Sequence, residues 1–496
     1  MKKIVILSAL LSVFALTAQT EVEKVTETVS KSDIEGHIYF LADDVLKGRA
    51  TGSPELKIAA SYLANSFRRY GVKPNPKTGN YYQDVNLKSV SPPKEVSIEI
   101  NNQVITNYAL IKASAMTSDQ DAVFLNYGLD DDYKGKDVNG KVIIIKAGSS
   151  KTNDTRAAFG LGQQKQKLAK ANGVAAIIEL LNTDDNMWSF IDHNFNEPSL
   201  TVDLGDGKSD DNQIAYIWVL DKEGNMAAEL STIKTISSKI SIGDKYEEAV
   251  ISQNVIGIVE GTDPNLKDEY IIYSAHYDHV GIGAPDETGD TIYNGARDNA
   301  VGTTTVLSMA ENLAKYPTKR SALFILFTGE EKGLLGSKFY VENPVLPLNQ
   351  MVYCFNSDNA GYNDTSLATI IGLPRTTAEQ HIKSAATTFG ITAVDDPAPE
   401  QGLFDRSDNV NFAKKGIPAP TFSLGFTAFN GDVTKYYHRP GDEAHTLDYD
   451  YLLKFFRAYV LSGRNIANDI ARPVWNAGDK YEAVSKELYK IEAIKN

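Results

Sequence analysis

Cysteine is almost absent from this sequence. Cys354 is the only one among 496 residues, which excludes internal disulfides and cysteine-rich zinc sites. It lies in the apolar run 351–355, where we expect a buried, inert thiol rather than a nucleophile. Any metal site should therefore use nitrogen and oxygen ligands.

Basic residues are fewer than acidic residues. Lys and Arg number 50 against 64 Asp and Glu, which gives a formal net charge of −14. This balance argues against a nucleic-acid partner, which would favour a basic face. It does not identify a substrate.

Long apolar runs are scarce. Residues 1–18 have the pattern of a secretory signal peptide, with Lys2 and Lys3 before an apolar run at 4–16 and small residues at 15–18. An uncleaved anchor is the alternative, but this run is short for a membrane span. No other stretch is long and apolar enough to cross a bilayer. We expect an exported protein, periplasmic or extracellular, without stable membrane insertion.

The length predicts at least two domains. The proposed boundaries are 1–18 for the signal peptide, 19–108 with 250–496 for one domain, and 109–249 for an insert. The insert has predicted strands at 122–127, 141–146 and 174–179, a predicted helix at 161–171, and no convergence of ligand-type residues. The polar segment 183–211 is predicted to be a loop.

From about residue 251 the pattern alternates between strands and helices. Strands are predicted at 254–259, 270–274, 322–327, 351–355, 369–371 and 420–424, and helices at 301–316, 333–342, 377–389, 410–415 and 449–470. This alternation predicts the α/β class, with a mostly parallel central sheet flanked by helices on both faces.

Ligand-type side chains follow several of these strands. His276 and Asp278 come directly after the strand 270–274, where His276 could bind a metal through one ring nitrogen while Asp278 orients the ring. Taken alone, the pair is more often a hydrogen-bonded structural histidine. Glu330 and Glu331 follow the strand 322–327, although adjacent acids are usually solvated.

Three further residues complete the set. Asp358 follows the strand 351–355, His438 lies in a turn-rich loop near a proline, and Asp298 precedes a helix that it could simply cap. The candidate metal ligands are therefore His276, Asp298, Glu331, Asp358 and His438. Nitrogen and oxygen ligands without cysteine suit zinc, and bridging carboxylates suit a pair of ions. Two zinc ions could activate a shared water with Glu330 as general base, which implies amide hydrolysis.

Five motifs in order resemble the co-catalytic (dinuclear) zinc aminopeptidase family of exported bacterial enzymes. They are Ser274-Ala-His-Tyr-Asp-His279, Gly295-Ala-Arg-Asp-Asn-Ala300, Thr328-Gly-Glu-Glu331, Asn356-Ser-Asp358 and Tyr437-His438. The resemblance runs from about residue 255 to the last helix. Segments of the insert, including Asp137-Val-Asn-Gly-Lys-Val142, resemble the protease-associated domain, which either helps to select substrate or acts only as a spacer.

The resemblance also implies roles. His276 and Asp358 would complete one zinc site, Glu331 and His438 the other, and Asp298 would bridge the two ions. Glu330 would be the general base, Asp278 the partner behind His276, Tyr437 a donor to the oxyanion, and Arg406 a substrate-binding residue. Asn409 departs from the histidine of many relatives and is expected outside the metal shell. His279 is expected only to stabilise the loop after His276.

The function implied is an exported dinuclear zinc metallopeptidase that removes N-terminal residues from peptides through a zinc-bound water. A carboxypeptidase or dipeptidase of the same fold is the first alternative, because selectivity lies in neighbouring loops. A single-zinc relative of the glutaminyl cyclase type would lack the insert. A non-catalytic receptor, as transferrin receptors are in this superfamily, should show lesions among the ligands, and all five positions here are competent.

Overall fold

The chain divides into two compact units. The computed structural model describes residues 19–152, 154–203 and 214–490, so the predicted signal peptide lies outside the described residues. One unit comprises the described residues of Met1–Val85 and Ser252–Asn496, and the other comprises those of Asn86–Ile251. The insert proposed at 109–249 lies within the second unit, which also takes in 86–108. None of the helices in the described ranges is long and apolar enough to span a membrane.

The helices are, in chain order, α1 (Glu21–Thr28), α2 (Lys31–Leu41), α3 (Pro54–Tyr70), α4 (Thr155–Ala171), α5 (Asp185–Asn196), α6 (Asn225–Leu230), α7 (Gly302–Lys315), α8 (Leu335–Glu342), α9 (Glu379–Thr388), α10 (Asn409–Lys414), α11 (Gly431–Thr434), α12 (Tyr449–Asn468) and α13 (Glu482–Leu488). The helices predicted from residue 251 onwards correspond to α7, α8, α9, α10 and α12 within a few residues at each end.

The strands are β1 (Lys73–Pro74), β2 (Tyr82–Ser91), β3 (Val96–Ile100), β4 (Gln103–Val104), β5 (Tyr108–Lys112), β6 (Met116–Phe124), β7 (Val142–Lys146), β8 (Ala176–Leu181), β9 (Ser199–Val202), β10 (Ala215–Leu220), β11 (Ile236–Ile242), β12 (Tyr246–Val259), β13 (Tyr270–His276), β14 (Gly281–Ile282), β15 (Ile292–Tyr293), β16 (Ser321–Phe327), β17 (Met351–Ser357), β18 (Leu367–Ile371), β19 (Thr392–Val394) and β20 (Thr421–Leu424).

The first unit is built on a mixed sheet whose centre is parallel. β13 pairs in parallel with β16 and β17, and β17 pairs in parallel with β20. The pairs β12 with β16 and β18 with β20 are antiparallel. β16 and β17 are buried along their whole length, and β13 from its second residue onwards. Burial on both faces explains why these strands are continuous apolar runs in the sequence. The α/β prediction is confirmed, with more antiparallel pairing at the edges than expected.

Helices cover both faces of this sheet. Ile271 and Tyr273 of β13 belong to one apolar core, which includes α7 and α12, while Ile272 between them belongs to another, which includes α8 and α10. Alternate residues of a strand point to opposite faces, so the two cores lie on the two sides of the sheet. Cys354 of β17 is fully buried, and burial raises its pKa to about 12, as expected for an inert thiol.

The second unit has its own eight-stranded sheet, in the order β4, β3, β11, β6, β7, β8, β10 and β5. Its core contains a fully buried ion pair between Lys165 of α4 and Glu179 of β8. Glu179 also accepts a hydrogen bond of 3.0 Å from the indole of Trp218. A buried carboxylate requires such partners to offset the loss of hydration.

The prediction of a loop at 183–211 is wrong for the first part of that segment, because α5 and β9 lie there. Asp184 caps α5 by accepting a hydrogen bond from the main-chain nitrogen of Met187, a start signal that the sequence contains. The exposed acids and asparagines of this helix obscured the apolar side on which Ile191 is buried.

Candidate metal centre

The predicted ligands meet at one edge of the first unit's sheet. His276 is the last residue of β13 and is paired with Phe327 of β16, while Ser274 is paired with Asn356 of β17. The carboxyl ends of parallel strands meet at the same edge. The loops after β16 and β17 therefore bring Glu331 and Asp358 to the side chain of His276.

One group of side chains surrounds His276 and is called here the His276 cluster (His276, Asp298, Asp358). The Nε2 atom of His276 lies 3.2 Å from Oδ1 of Asp298 and 3.2 Å from Oδ1 of Asp358. The imidazole is buried. Its other nitrogen, Nδ1, lies 3.2 Å from the main-chain oxygen of Asp278. A carbonyl oxygen can only accept, so Nδ1 carries a proton, and Nε2 is the nitrogen that faces the two carboxylates.

A second group is called the His438 cluster (His279, Asp298, Glu331, His438). The Nε2 atom of His438 lies 3.2 Å from Oδ2 of Asp298 and 3.1 Å from Oε2 of Glu331. His279 approaches the other oxygen of Glu331, with Nδ1 at 2.7 Å from Oε1. The sequence assigned His279 only to the loop after His276, and the structure adds this contact with a predicted ligand.

Asp298 is common to both clusters, one carboxylate oxygen facing each. It lies in a short π-helical turn, Ala296–Val301, directly before α7. Asp442 holds this turn by accepting hydrogen bonds from the main-chain nitrogens of Arg297 (2.9 Å) and Asp298 (3.2 Å), and a bond of 2.9 Å from the Arg297 guanidinium. Asp442 was missed by the sequence reasoning, although it follows His438 by only four residues.

Asp278 lies behind His276 in a fully buried position. Its carboxylate accepts hydrogen bonds from the hydroxyl of Thr51 (2.8 Å) and the main-chain nitrogen of Glu330 (3.1 Å). The nearest carboxylate oxygen is 3.8 Å from Nδ1 of His276. Asp278 therefore orients the ring chiefly through its main-chain oxygen, while its carboxylate fixes the turn that carries Glu330.

Charge is concentrated in this site. Although burial works in the opposite direction, Asp298 and Glu331 raise the pKa of His438 to about 10. Burial, reinforced by the neighbouring carboxylates of Asp358 and Glu331, raises the pKa of Glu330 well above its ordinary range against the opposing effect of His276. A carboxyl group shifted in this way is suited to carrying a proton.

The arrangement fits a pair of divalent cations. Asp298 faces both histidines, Asp358 faces His276 and Glu331 faces His438. Three buried or partly buried carboxylates so close together are costly without positive charge among them. The buried Nε2 atom of His438 has no hydrogen-bond partner within the described ranges, although two carboxylate oxygens lie close to it. This is the geometry of a nitrogen that binds a metal ion together with the two carboxylates, rather than of one that donates a proton to them. The nitrogen and oxygen donor set without sulfur suits zinc.

A pocket opens beside the two clusters. It is lined by Glu330, Arg406 and Tyr437, together with the apolar side chains of Ile371, Leu403, Phe426 and Phe429. The ring of Tyr437 stacks on that of His438 with centroids 4.0 Å apart, and its hydroxyl lies 3.4 Å from Nη2 of the exposed Arg406.

Asn409 lies in the segment that follows Arg406. Its side chain donates to the main-chain oxygens of Phe404 (3.2 Å) and Ala419 (3.1 Å). These bonds tie α10 to the chain on either side of it. Asn409 belongs to neither ligand cluster.

This chain is similar in sequence to known peptidases. The model of peptidase family M28 matches residues 254–461. Aminopeptidase YwaD of Bacillus subtilis (strain 168) is 32% identical over 198 residues, which cover 38% of this chain and 39% of YwaD. The probable leucine aminopeptidase 2 of Aspergillus oryzae is 22% identical over 475 residues, covering 87% of this chain and 86% of that protein.

Solved structures share the fold. An aminopeptidase from Aneurinibacillus sp. strain AM-1 is 23% identical with a TM-score of 0.60, over 91% of this chain and 97% of its own. The zinc aminopeptidase BSAP from Bacillus subtilis is 20% identical with a TM-score of 0.51, over 89% and 99%. The match to peptidase family M28 spans residues 254–461, which contain all five predicted metal ligands.

Proposed function

We propose that this protein is an exported aminopeptidase that binds two zinc ions and removes N-terminal residues from peptides. The observation that carries the proposal is the position of Asp298, whose two carboxylate oxygens lie 3.2 Å from His276 and 3.2 Å from His438 respectively. One shared carboxylate thus joins two histidine-containing clusters. The names of the relatives, aminopeptidases and a zinc aminopeptidase, agree with this assignment.

Each cluster would hold one ion. His276 and Asp358 would complete the first site, Glu331 and His438 would complete the second, and Asp298 would bridge them. His279 would hold the second carboxylate oxygen of Glu331 in place, since its Nδ1 atom lies 2.7 Å away. Partners of this kind fix the orientation of ligands.

The surrounding side chains have separable roles in hydrolysis. Bound zinc supplies a Lewis acid that polarises the scissile carbonyl and lowers the pKa of water. Glu330 takes the proton from the attacking water and delivers it to the departing amine, and Asp278 holds the main-chain nitrogen of Glu330. The hydroxyl of Tyr437 donates to the oxygen on which negative charge develops.

The pocket beside the metal centre supports an apolar preference at the N-terminal residue. Ile371, Leu403 and Phe426 contribute apolar surface to it, and such surface favours burial of an apolar side chain. Leucine and methionine amides should therefore be cleaved with a higher kcat/KM than aspartate or lysine amides. Equal rates across this panel would contradict the assignment of the pocket.

A carboxypeptidase or dipeptidase is the second candidate, because the guanidinium of Arg406 lies at the pocket and would attract a carboxylate. Peptides with free and acetylated N-termini separate the two possibilities. An aminopeptidase cleaves the free peptide and fails on the acetylated one. A carboxypeptidase cleaves both and fails when the C-terminus is amidated.

Metal analysis tests the proposal directly. Purified protein should bind two zinc ions per chain, and activity removed by a chelator should return with zinc. Fewer than one zinc per chain, with no activity after zinc is added back, would overturn it. Glu330→Gln should retain both ions while kcat falls by about 10²–10⁴, and a fully active variant would show that another group is the base.

Export is a further part of the proposal. It rests on the basic, apolar and small-residue pattern of residues 1–18. N-terminal sequencing of the protein from the producing cells should find a chain that begins close to residue 19. A cytosolic, full-length product would contradict it.

A further inference from the structure

A short N-terminal segment, residues 48–51, passes beneath the metal centre and is called here the strap. It lies before α3, far outside residues 254–461 that match the family model. None of its side chains belongs to either ligand cluster. Its contacts are nevertheless made with the two loops that carry His276 and Asp298.

Arg49 makes the most extensive of these contacts. It is 1% exposed, and its guanidinium donates to the main-chain oxygens of Tyr277 (2.9 Å), Asn294 (2.7 Å) and Gly295 (3.1 Å), and also to that of Leu41. Tyr277 directly follows His276, and Gly295 precedes Asp298 by three residues. One planar group therefore ties the first ligand loop to the second.

The rest of the strap holds the same loops. The main-chain oxygen of Arg49 accepts a hydrogen bond of 3.1 Å from the nitrogen of His279. The hydroxyl of Thr51 donates to Asp278 at 2.8 Å. Gly48 has a φ of +67°, and a β-carbon on it would lie 2.4 Å from the main-chain oxygen of Gly281. Gly48 therefore lies so close to the neighbouring main chain that only glycine fits at this position.

The charge of Arg49 also matters to the site. Burial lowers its pKa to about 10, against the opposing effect of Asp278 and Asp298, so it remains a cation at neutral pH. Within the described ranges its hydrogen bonds go only to main-chain oxygens. Its positive charge is therefore not neutralised by a direct ion pair. It acts instead on all the buried carboxylates of the metal centre together.

We propose that Arg49 and Thr51 are positioning residues of the zinc centre. The inference rests on the proposed zinc aminopeptidase function and extends it to a segment that no ligand motif includes. Arg49 fixes the spacing between the His276 loop and the Asp298 turn, and Thr51 fixes Asp278 behind His276. Neither residue touches the pocket in which substrate would bind.

The test measures zinc affinity by competition with a chromophoric chelator, together with the rise in Tm that zinc produces. Arg49→Met should weaken zinc binding by about tenfold to a hundredfold and reduce that rise in Tm, as loss of supporting groups around metal ligands commonly does. Arg49→Lys keeps the charge but not the planar fork, so its affinity should fall between those of wild type and Arg49→Met. In the loaded enzymes kcat should fall while KM stays close to wild type.

Arg320→Met is a matched control. Arg320 is also 1% exposed and also donates to main-chain oxygens, those of Asp469 and Ile470, but it differs from Arg49 in forming an ion pair of 2.7 Å with Glu269 as well. Its loss should lower the Tm of the metal-free protein but leave zinc affinity at the wild-type value. If Arg49→Met binds zinc as tightly as Arg320→Met does, the strap has no positioning role and the inference fails.

Thr51→Val and Thr51→Ser keep the test decisive if Arg49→Met does not fold. Valine removes the hydroxyl that bonds to Asp278, whereas serine retains it, so only the valine variant should lose zinc affinity. Equal, wild-type affinities for both would overturn the inference. The wild-type zinc stoichiometry in the same titration reports on the proposed function, and the ratio of variant to wild-type affinity reports on the strap.

Discussion

Removing the carboxylate of Asp442 should destabilise the turn that carries Asp298. Asp442 is fully buried and accepts hydrogen bonds from Arg297 N, Arg297 Nη1 and Asp298 N. Asp442→Ala leaves the 3% exposed Arg297 without its counter-ion, and breaking a buried pair in this way costs about 3–5 kcal/mol. The guanidinium keeps two bonds to Thr446, which places the expected loss near the lower figure, about 3 kcal/mol.

Urea unfolding of the metal-free protein measures this loss of stability, and hydrogen exchange of individual peptides shows where in the chain it occurs. Because the chain has two units, exchange within 270–327 and within 142–181 is read separately. Only the first region should lose protection in Asp442→Ala. Asp432→Ala, at an exposed position of the same unit, is the control and should change stability by less than about 0.5 kcal/mol. An Asp442→Ala variant as stable as this control would refute the reasoning.

Three further outcomes are expected elsewhere in the chain. Tyr437→Phe keeps the ring that stacks on His438 but removes its hydroxyl, so steady-state kinetics should show kcat lower by about 10²–10³ with KM little changed; an unchanged kcat would exclude Tyr437 from the reaction. Lys165→Met leaves Glu179 buried without its cation, which should destabilise the second unit by about 3–5 kcal/mol in urea while zinc content is unchanged; loss of zinc would contradict this. Burial lowers the pKa of His37 from 6.5 to about 4, so the unfolded chain binds more protons between these values and stability falls as pH decreases through them. Going from pH 7 to pH 5 should cost wild type about 2 kcal/mol more than His37→Phe, and equal losses in the two proteins would be the contrary result.

The strands and the candidate ligands could be anticipated from the sequence for the same physical reason. A strand buried on both faces must be a continuous apolar run, and β13, β16 and β17 are such runs. Polar residues that interrupt the pattern at their carboxyl ends then stand out. His276, Glu331 and Asp358 were found in this way, and parallel pairing accounts for their proximity.

Arg49 and Asp442, which support the candidate site through main-chain atoms, could not be found by that reasoning. Arg49 acts on the main-chain oxygen of Tyr277, 228 positions away, and Asp442 acts on the main-chain nitrogen of Arg297, 145 positions away. Main-chain atoms are the same at every position, so the sequence around them contains no sign of the partner. His279 had a signal, because it stands three residues after His276, but only the fold shows that its ring turns toward Glu331.

The separation between the strap and its partners has a consequence for the order in which the molecule forms. A chain made from its N-terminus exposes Arg49 long before Tyr277, Asn294 and Gly295 exist, with the whole of Asn86–Ile251 synthesised in between. Contacts so distant in sequence form slowly, because the entropy of closing a long loop is lost before the stabilising contact has formed. The second unit can fold as soon as it is complete, whereas the first must wait for residues beyond Asp442. The geometry of the candidate metal centre is therefore a late product of folding, because it requires the strap and Asp442 both to reach the loops that carry His276 and Asp298.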